Sequence, residues 1–438
     1  MCDRFFIVRA SRHLAALRTI RIAVASLTLA AALLRPAPGF AEDCGFKTPP
    51  DITVGKELMI TDLSVVNDAR TDGPDGAWSF GHLMTALTAD KADGRRLIKD
   101  WLATWATAAT VNGFALEARP EIAERIIRPW MTKDGAISLG AWIPDLAHAP
   151  FRLLAIVYRP DLSVVGSDGA IVSAGEARFV FTALDLDGAP DLDHARPLPF
   201  TLNVEYALPA SDRQLVRAWA DRWHALGHLP FGADYNAALQ AITDTVITRA
   251  PELRSNEGLA WPWQLREFHV DAPNRRLRNA PVSNTPHLDM IARADQLSAY
   301  LNAHRGEDLP SRFSGGNADV PDRNFRWPAL AIANNGLRHN FAMLTCNGCH
   351  GAETGRKADE SGIPGDPHAG FRHISGRLRT EPATLSEFLT GNPAVVADPT
   401  GKLQTFCDLK MRQKALFEAL QAQPAPAPTE RVGERGVR

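Results

Sequence analysis

The chain has 438 residues, 45% hydrophobic and 22% charged, with 48 Lys plus Arg against 50 Asp plus Glu for a formal charge of -2. That composition excludes a disordered chain, a collagen and a small disulfide scaffold, and the length fits two or three domains rather than one. The near-neutral balance gives no support to nucleic acid as the main partner, because such binding rests on a strongly basic surface.

The first element reads as an export signal. Arg4, Arg9, Arg12, Arg18 and Arg21 form a basic region ahead of the apolar run Ile22 to Leu34. Small residues at Gly39 and Ala41 then stand where a signal peptidase cuts, so cleavage is expected after Ala41 and the protein is expected to be periplasmic or otherwise exported. The run is too short to cross roughly 30 Å of hydrocarbon at about 1.5 Å per residue, and no membrane span is expected after cleavage. Cys2 leaves with the signal; Cys44, Cys346, Cys349 and Cys407 remain, too few for a disulfide framework. Cys44 and Cys407 are candidates for one disulfide, with two unpaired thiols as the alternative.

Residues 42–304 read as an α+β domain. A short strand is expected over Leu58 to Val66, and a helix over Arg95 to Ala106 with Leu97, Trp101, Leu102 and Trp105 on one face. Strand-like runs follow at Arg152 to Tyr158, Ala177 to Leu184, Phe200 to Leu208 and Trp263 to Val270, separated by Gly, Pro and Asp turn residues. Two helices are expected between the third and fourth, Asp212 to Leu226 capped by Ser211, and Tyr235 to Thr248. Strands with inserted helices predict an antiparallel sheet. A helical stretch at His287 to Ala303 is followed by a polar, Gly-containing segment, 305–323, expected as a linker. Residues 324–420 then read as a small, mainly helical domain ending in the helix Asp408 to Leu420, and 421–438 as a disordered tail.

Chemistry enters at Cys346-Asn347-Gly348-Cys349-His350, a CxxCH sequence. Two thiols three positions apart can add to the two vinyl groups on one edge of a porphyrin, and the histidine that follows can offer its imidazole to the iron. Expected, therefore, are one covalent haem c on Cys346 and Cys349 and a proximal ligand in His350. Two other readings of the same residues are a thioredoxin-like redox pair and a zinc site. The redox pair expects a βαβ context, whereas RHNFAMLT ahead of Cys346 reads as a helix; zinc needs two further ligands from Cys407 or nearby histidines. Neither accounts for His350 directly after Cys349.

Over roughly Asn335 to Leu420 the chain resembles small c-type cytochrome domains, in which a helix leads into CxxCH and a later helix, here Leu385 to Gly391, packs against the haem. That resemblance implies a cytochrome c-like helical fold and a redox partner protein. It departs from the usual pattern in two ways. Gly336 and Phe341 stand ten and five positions before Cys346 rather than eight and four, and no Met-bearing segment precedes the last helix. The runs ITDLSVV, FRLLAIVYRPDL and AGEARFVFTALD, with RHNFAMLTCNGCHGAET, also resemble a group of exported bacterial proteins, which brings no activity with it.

The second axial ligand follows by elimination. Met343 lies on the helix entering the motif, so His368, His373 and Met411 remain downstream. His373, between Phe371 and Ile374, is the first choice and Met411 the second, with an open iron site as the third outcome. Phe341, Phe371 and Leu385 are candidates for packing on the ring. His82, Glu176 with Arg178, and Arg266-Glu267-Phe268-His269 read as satisfied structural polar groups, and no HExxH, GxSxG, GxGxxG or P-loop is present. Electron transfer is the leading function. A haem oxidoreductase of peroxidase type, or a haem-based sensor or binding protein, is the alternative, and whether the protein is an enzyme turns on whether the iron has an open position.

Overall fold

The computed structural model describes residues 51–422 except 89–90, 166–169, 272–275, 292–293, 305–308, 322–324, 328–330, 355–372 and 392–394. The signal segment with its cleavage point at Ala41, Cys44, Phe371 and the tail beyond 422 lie outside the described residues.

An eight-stranded antiparallel sheet organises the chain. Its strands are β1 (Met59–Ile60), β2 (Phe151–Val165), β3 (Ile171–Asp185), β4 (Arg196–Pro209), β5 (Glu252–Glu257), β6 (Trp263–Asp271), β7 (Arg276–Ala280) and β8 (Ala318–Val320). They run in the order β1-β2-β3-β4-β5-β6-β8, with β7 pairing the far end of β6 beside β8. β2 and β3 are 15 residues each and mostly buried, as expected of long central strands rich in Val, Phe and Leu. The register of β2 on β3 shifts between Leu153 and Ala155. Phe151, Leu153, Ile156 and Tyr158 therefore enter the core on one face, and Leu154, Ala155 and Val157 the core on the other.

The first face is covered by α1 (Lys91–Trp105), α2 (Arg213–Ala225) and α3 (Ala233–Ile247). Trp101 and Trp105 of α1 lie among Phe151, Phe200 and Phe268 of the sheet, with ring centroids 5.8 to 6.2 Å apart. α2 begins at Asp212, whose Oδ1 accepts the Leu215 amide at 2.9 Å, so the cap is one residue after Ser211. The strand expected over Leu58 to Val66 is only Met59–Ile60, because Asp62 caps a separate helical turn at Leu63–Val66.

The opposite face carries α4 (Ala294–Ala303), α5 (Asn335–Leu344), α6 (Cys346–Cys349) and α7 (Glu387–Thr390), while α8 (Asp408–Leu420) puts Leu409 in this layer and Leu416 and Ala419 in the first core. Here the expected fold is corrected. Among the described residues the region forms no small, mainly helical cytochrome c-like domain behind the α+β domain. Segment 305–323 includes β8, which pairs with Trp263, Gln264 and Leu265 of β6. Phe341, Cys346, Cys349, Phe388 and Phe406 share one apolar cluster with Leu154, Val157, Val180, Trp263 and Leu265 of the sheet. Two of these helices are four residues long, too short to enclose a core among themselves, and they bury their apolar side chains on the sheet instead. α8 reaches the sheet through β2 and packs on α2 as well.

Candidate functional site

The CxxCH residues form a single helical turn with its own cap. α5 starts at Asn334, whose Oδ1 accepts the Leu337 amide at 2.8 Å, and it ends at Thr345, where the backbone becomes extended. Thr345 Oγ1 donates back to the Ala342 carbonyl at 2.8 Å and accepts the Gly348 amide at 3.0 Å, closing one helix and opening the next. Cys346 and Cys349, three apart, share a face of that turn, and the His350 amide donates to the Cys346 carbonyl at 2.8 Å. Gly348 is obligatory: a Cβ there would stand 2.1 Å from the Ala342 carbonyl oxygen. Both cysteines are fully buried and neither is in a disulfide.

The turn is held from three sides. Trp327 Nε1 donates to Thr345 Oγ1 at 2.9 Å and Asn347 Oδ1 at 2.8 Å, and the Cys346 amide donates to Thr285 Oγ1 at 2.9 Å. Glu353, three residues after His350, takes two bonds from the Arg338 guanidinium at 2.9 and 2.7 Å and lies 2.6 Å from His339 Nδ1. Burial alone would raise the Glu353 carboxyl, but the bonds from His339 and Arg338 outweigh it and hold the group below its ordinary range. Arg338 also lies 3.6 Å from Asp398, so a buried ion-pair network fastens the turn to α5.

His350 stacks on Trp263 of β6 at 4.5 Å and 21°. His373 is a second ring neighbour, with ring centroids 4.7 Å apart and a tilt of 58°. His373 Nε2 lies 3.5 Å from Cys349 Sγ, and its ring lies 4.9 Å from that of Phe388. The His373 carbonyl accepts the Ser386 amide at 3.0 Å, and Ile374 bridges to Leu385. The second histidine is thereby pinned by the strand-like segment that leads into α7.

A cavity of about 840 Å³, including the part open to solvent, lies between this layer and the sheet. His350, His373, Ile374 and Phe388 form one wall, and side chains from β1 through β6 form the other. The expected residues divide accordingly. His350 and His373 line the cavity and Cys349 touches His373. Phe341 packs on Trp327 at 5.1 Å, and neither it, Leu385 nor Met411 belongs to the cavity wall. Cys407 is disulfide-bonded, and its expected partner Cys44 lies outside the described residues.

Three clusters of metal-type side chains converge among the described residues: Asp134 with Asp145 and His148, Glu252 with Glu267 and His269, and His339 with Glu353 and Asp398. No three of Cys346, Cys349, His350 and His373 converge in that way, as a tetrahedral zinc site requires of its donors. Haem makes a different demand, since its thiols bond to the ring edge and its imidazoles to the central iron. The donor set is the one such a group needs, and of its four residues His350 and His373 line the cavity.

Sequence reasoning missed Trp263, which reads as an ordinary strand residue, and Arg159, Arg254 and Arg412 of the cavity wall, while Arg178 was read with Glu176 as a satisfied structural group. No helix among the described residues is long and apolar enough to cross a membrane. Comparison of the chain with family models, with curated proteins and with solved structures finds no match to any of them.

Proposed function

We propose that the protein carries one haem c that Cys346 and Cys349 would bind covalently and whose iron His350 and His373 would hold, and that it serves as an exported electron carrier for a redox partner protein. The observation that carries this reading is the position of His373. It is 23 residues after His350, yet its ring lies 4.7 Å from that of His350 and its Nε2 lies 3.5 Å from Cys349 Sγ. When bound, the haem supplies one-electron redox chemistry at iron. The chain's own residues orient it and exclude water. Trp263 fixes the plane of the His350 ring by stacking, and the Glu353 network keeps the thiol-bearing turn in place. Phe388 and Ile374 close the apolar side around His373. Two protein imidazoles leave no iron position for a substrate, which favours electron transfer over a peroxidase-type reaction or ligand sensing.

The test is haem staining on a denaturing gel, with protein made beside a cytochrome c maturation system. Staining is expected in the wild type and is expected to vanish in the double variant Cys346→Ala/Cys349→Ala. Staining that survives both changes refutes covalent attachment at this motif.

A further inference from the structure

His373 has no helix or long strand of its own to hold it. After the bridge of Ile374 to Leu385, its segment runs irregularly through residues 375–378, past the first residues of β2 and β4. Gly376 permits that approach, because a Cβ there would stand 2.4 Å from Pro197 Cβ of β4.

A buried cation ties this segment to the sheet. Arg377, four residues after His373, is 2% exposed, and among the described residues no carboxylate pairs with it. Its guanidinium instead reaches oxygens on separate pieces of chain. Nε and Nη2 donate to the Leu153 carbonyl of β2 at 3.1 and 3.0 Å, at the register shift of that strand. Nη2 also donates to the Val66 carbonyl at 2.9 Å and to Asn67 Oδ1 at 2.8 Å, where the helical turn Leu63–Val66 ends and its last carbonyls lack partners within the turn. The tie is returned: Arg152 Nη1 donates to the Arg377 carbonyl at 2.8 Å, and Asn67 Nδ2 to the Arg379 carbonyl at 2.8 Å. Burial, with the like charges of Arg152 and Arg379, moves the Arg377 guanidinium down to about 10, so it remains a cation at neutral pH. A buried cation whose acceptors are neutral oxygens is a costly way to fill a core, since an apolar side chain carries no such desolvation penalty. Its planar fork, however, can serve several fixed acceptors at once.

This inference rests on the haem reading above. We infer that Arg377 is a positioning residue for His373: by tying segment 374–379 to β2 and to the turn at 63–67, it fixes the place from which the imidazole would serve the iron. The bonds of Ser375 with Thr384, and of the His373 carbonyl with Ser386, set the ring against α7. Arg377 sets that whole piece against the sheet. Trp263 of the same sheet stacks on His350, so one rigid layer places both imidazoles.

The experiment uses the full-length haem protein as wild type, Arg377→Leu, Asn67→Ala and a control, Leu97→Ala, which weakens the first core on the far side of the sheet. Spin state is read from the oxidised visible spectrum, and the rate of carbon monoxide binding from the reduced protein. Arg377→Leu is expected to show a high-spin fraction and to bind carbon monoxide about tenfold faster, equivalent to about 1.4 kcal/mol lost from the hold on His373. Asn67→Ala, which removes two of the ties, should shift both readings the same way by less, and Leu97→Ala should leave both at wild-type values. An Arg377→Leu protein with the wild-type spectrum and rate overturns the inference, as does an equal shift in Leu97→Ala. If Arg377→Leu does not fold, wild-type readings in Asn67→Ala overturn it alone. A wild type that holds haem but is already high-spin removes His373 as a ligand, and the inference with it. A wild type without covalent haem refutes the haem reading, and the positioning is then read from the ring signals of His373 in nuclear magnetic resonance spectra, assigned by their loss in His373→Ala. Those signals are expected to move in Arg377→Leu and not in Leu97→Ala; signals that stay in place in Arg377→Leu overturn the positioning role.

Discussion

Replacing Glu353 by Gln keeps the shape of the side chain that fastens the CxxCH turn and removes its charge. Arg338 and Glu353 are both fully buried, and Arg338 keeps two compensating groups after the change: Asp398 at 3.6 Å and the Asn335 amide oxygen at 2.9 Å. Stranding one member of a buried ion pair costs about 3–5 kcal/mol, and the surviving Asp398 places this case near the lower end, about 3 kcal/mol. The glutamine also turns an N–H₂ toward donors on Arg338 or His339, so one of the three bonds made by the carboxylate cannot re-form. The sign with pH follows from the lowered carboxyl. Its contribution is fully present above the ordinary value of 4.5 and is lost as pH falls through the depressed folded value. Urea unfolding followed by far-UV circular dichroism should therefore show Glu353→Gln weaker by about 3 kcal/mol at pH 7, with the gap narrowing in acid. A variant within about 0.5 kcal/mol of wild type at pH 7 would refute the view that this network holds the turn.

Three further outcomes are expected. His373→Ala should convert a low-spin visible spectrum to high-spin and let carbon monoxide bind, while Met411→Ala should leave the spectrum unchanged; a wild type that is already high-spin would move the function to the enzyme or sensor class. Glu252 is pushed up to about 7, chiefly by burial, with Arg254 opposing and Glu267 adding to the rise. The folded state thus keeps a proton that the unfolded chain has released, and stability falls as pH rises from about 4.5 to about 7. With the side chain 33% exposed the effect is discounted, so Glu252→Gln should gain about 1–2 kcal/mol at pH 8 and nothing at pH 4 in urea titrations; an equal effect at both would refute it. N-terminal sequencing of the processed protein should begin near Glu42, and a membrane fraction retaining the segment before Ala30 would argue for an uncleaved anchor.

The parts of the fold legible in the sequence are those where a local pattern and a tertiary partner agree. β2, β3, β4 and β6 were visible as Val-, Phe- and Leu-rich runs, and α5 as a helix entering the motif, because each buries an apolar face. β5 was not visible. Its sequence ELRSNE reads as a polar loop, and only the ion pairs of Arg254 with Glu205 and Glu267 make its charges compatible with burial between two strands. The separate haem domain failed for a related reason. Periodicity shows that Phe341 and Phe388 must be covered, but not that the cover is a sheet built from residues far earlier in the chain. At the site, CxxCH and its single turn were legible because the chemistry is local. His373 was reachable only by elimination.

The burial of Cys346 and Cys349 dictates an order of assembly. A thiol with no exposed surface cannot meet a vinyl group from outside, so a haem joined to this pair must be joined before the C-terminal layer settles on the sheet. The sheet strands β1 to β7 precede the motif in the chain, so a barrier-free collapse of that layer would race the attachment reaction. Once the layer has closed without its ring, the route back is local unfolding of helices wedged against Trp263 and Leu265. On the proposed haem attachment, the loaded and the empty protein would then be two products of a kinetic branch, rather than two ends of a binding equilibrium.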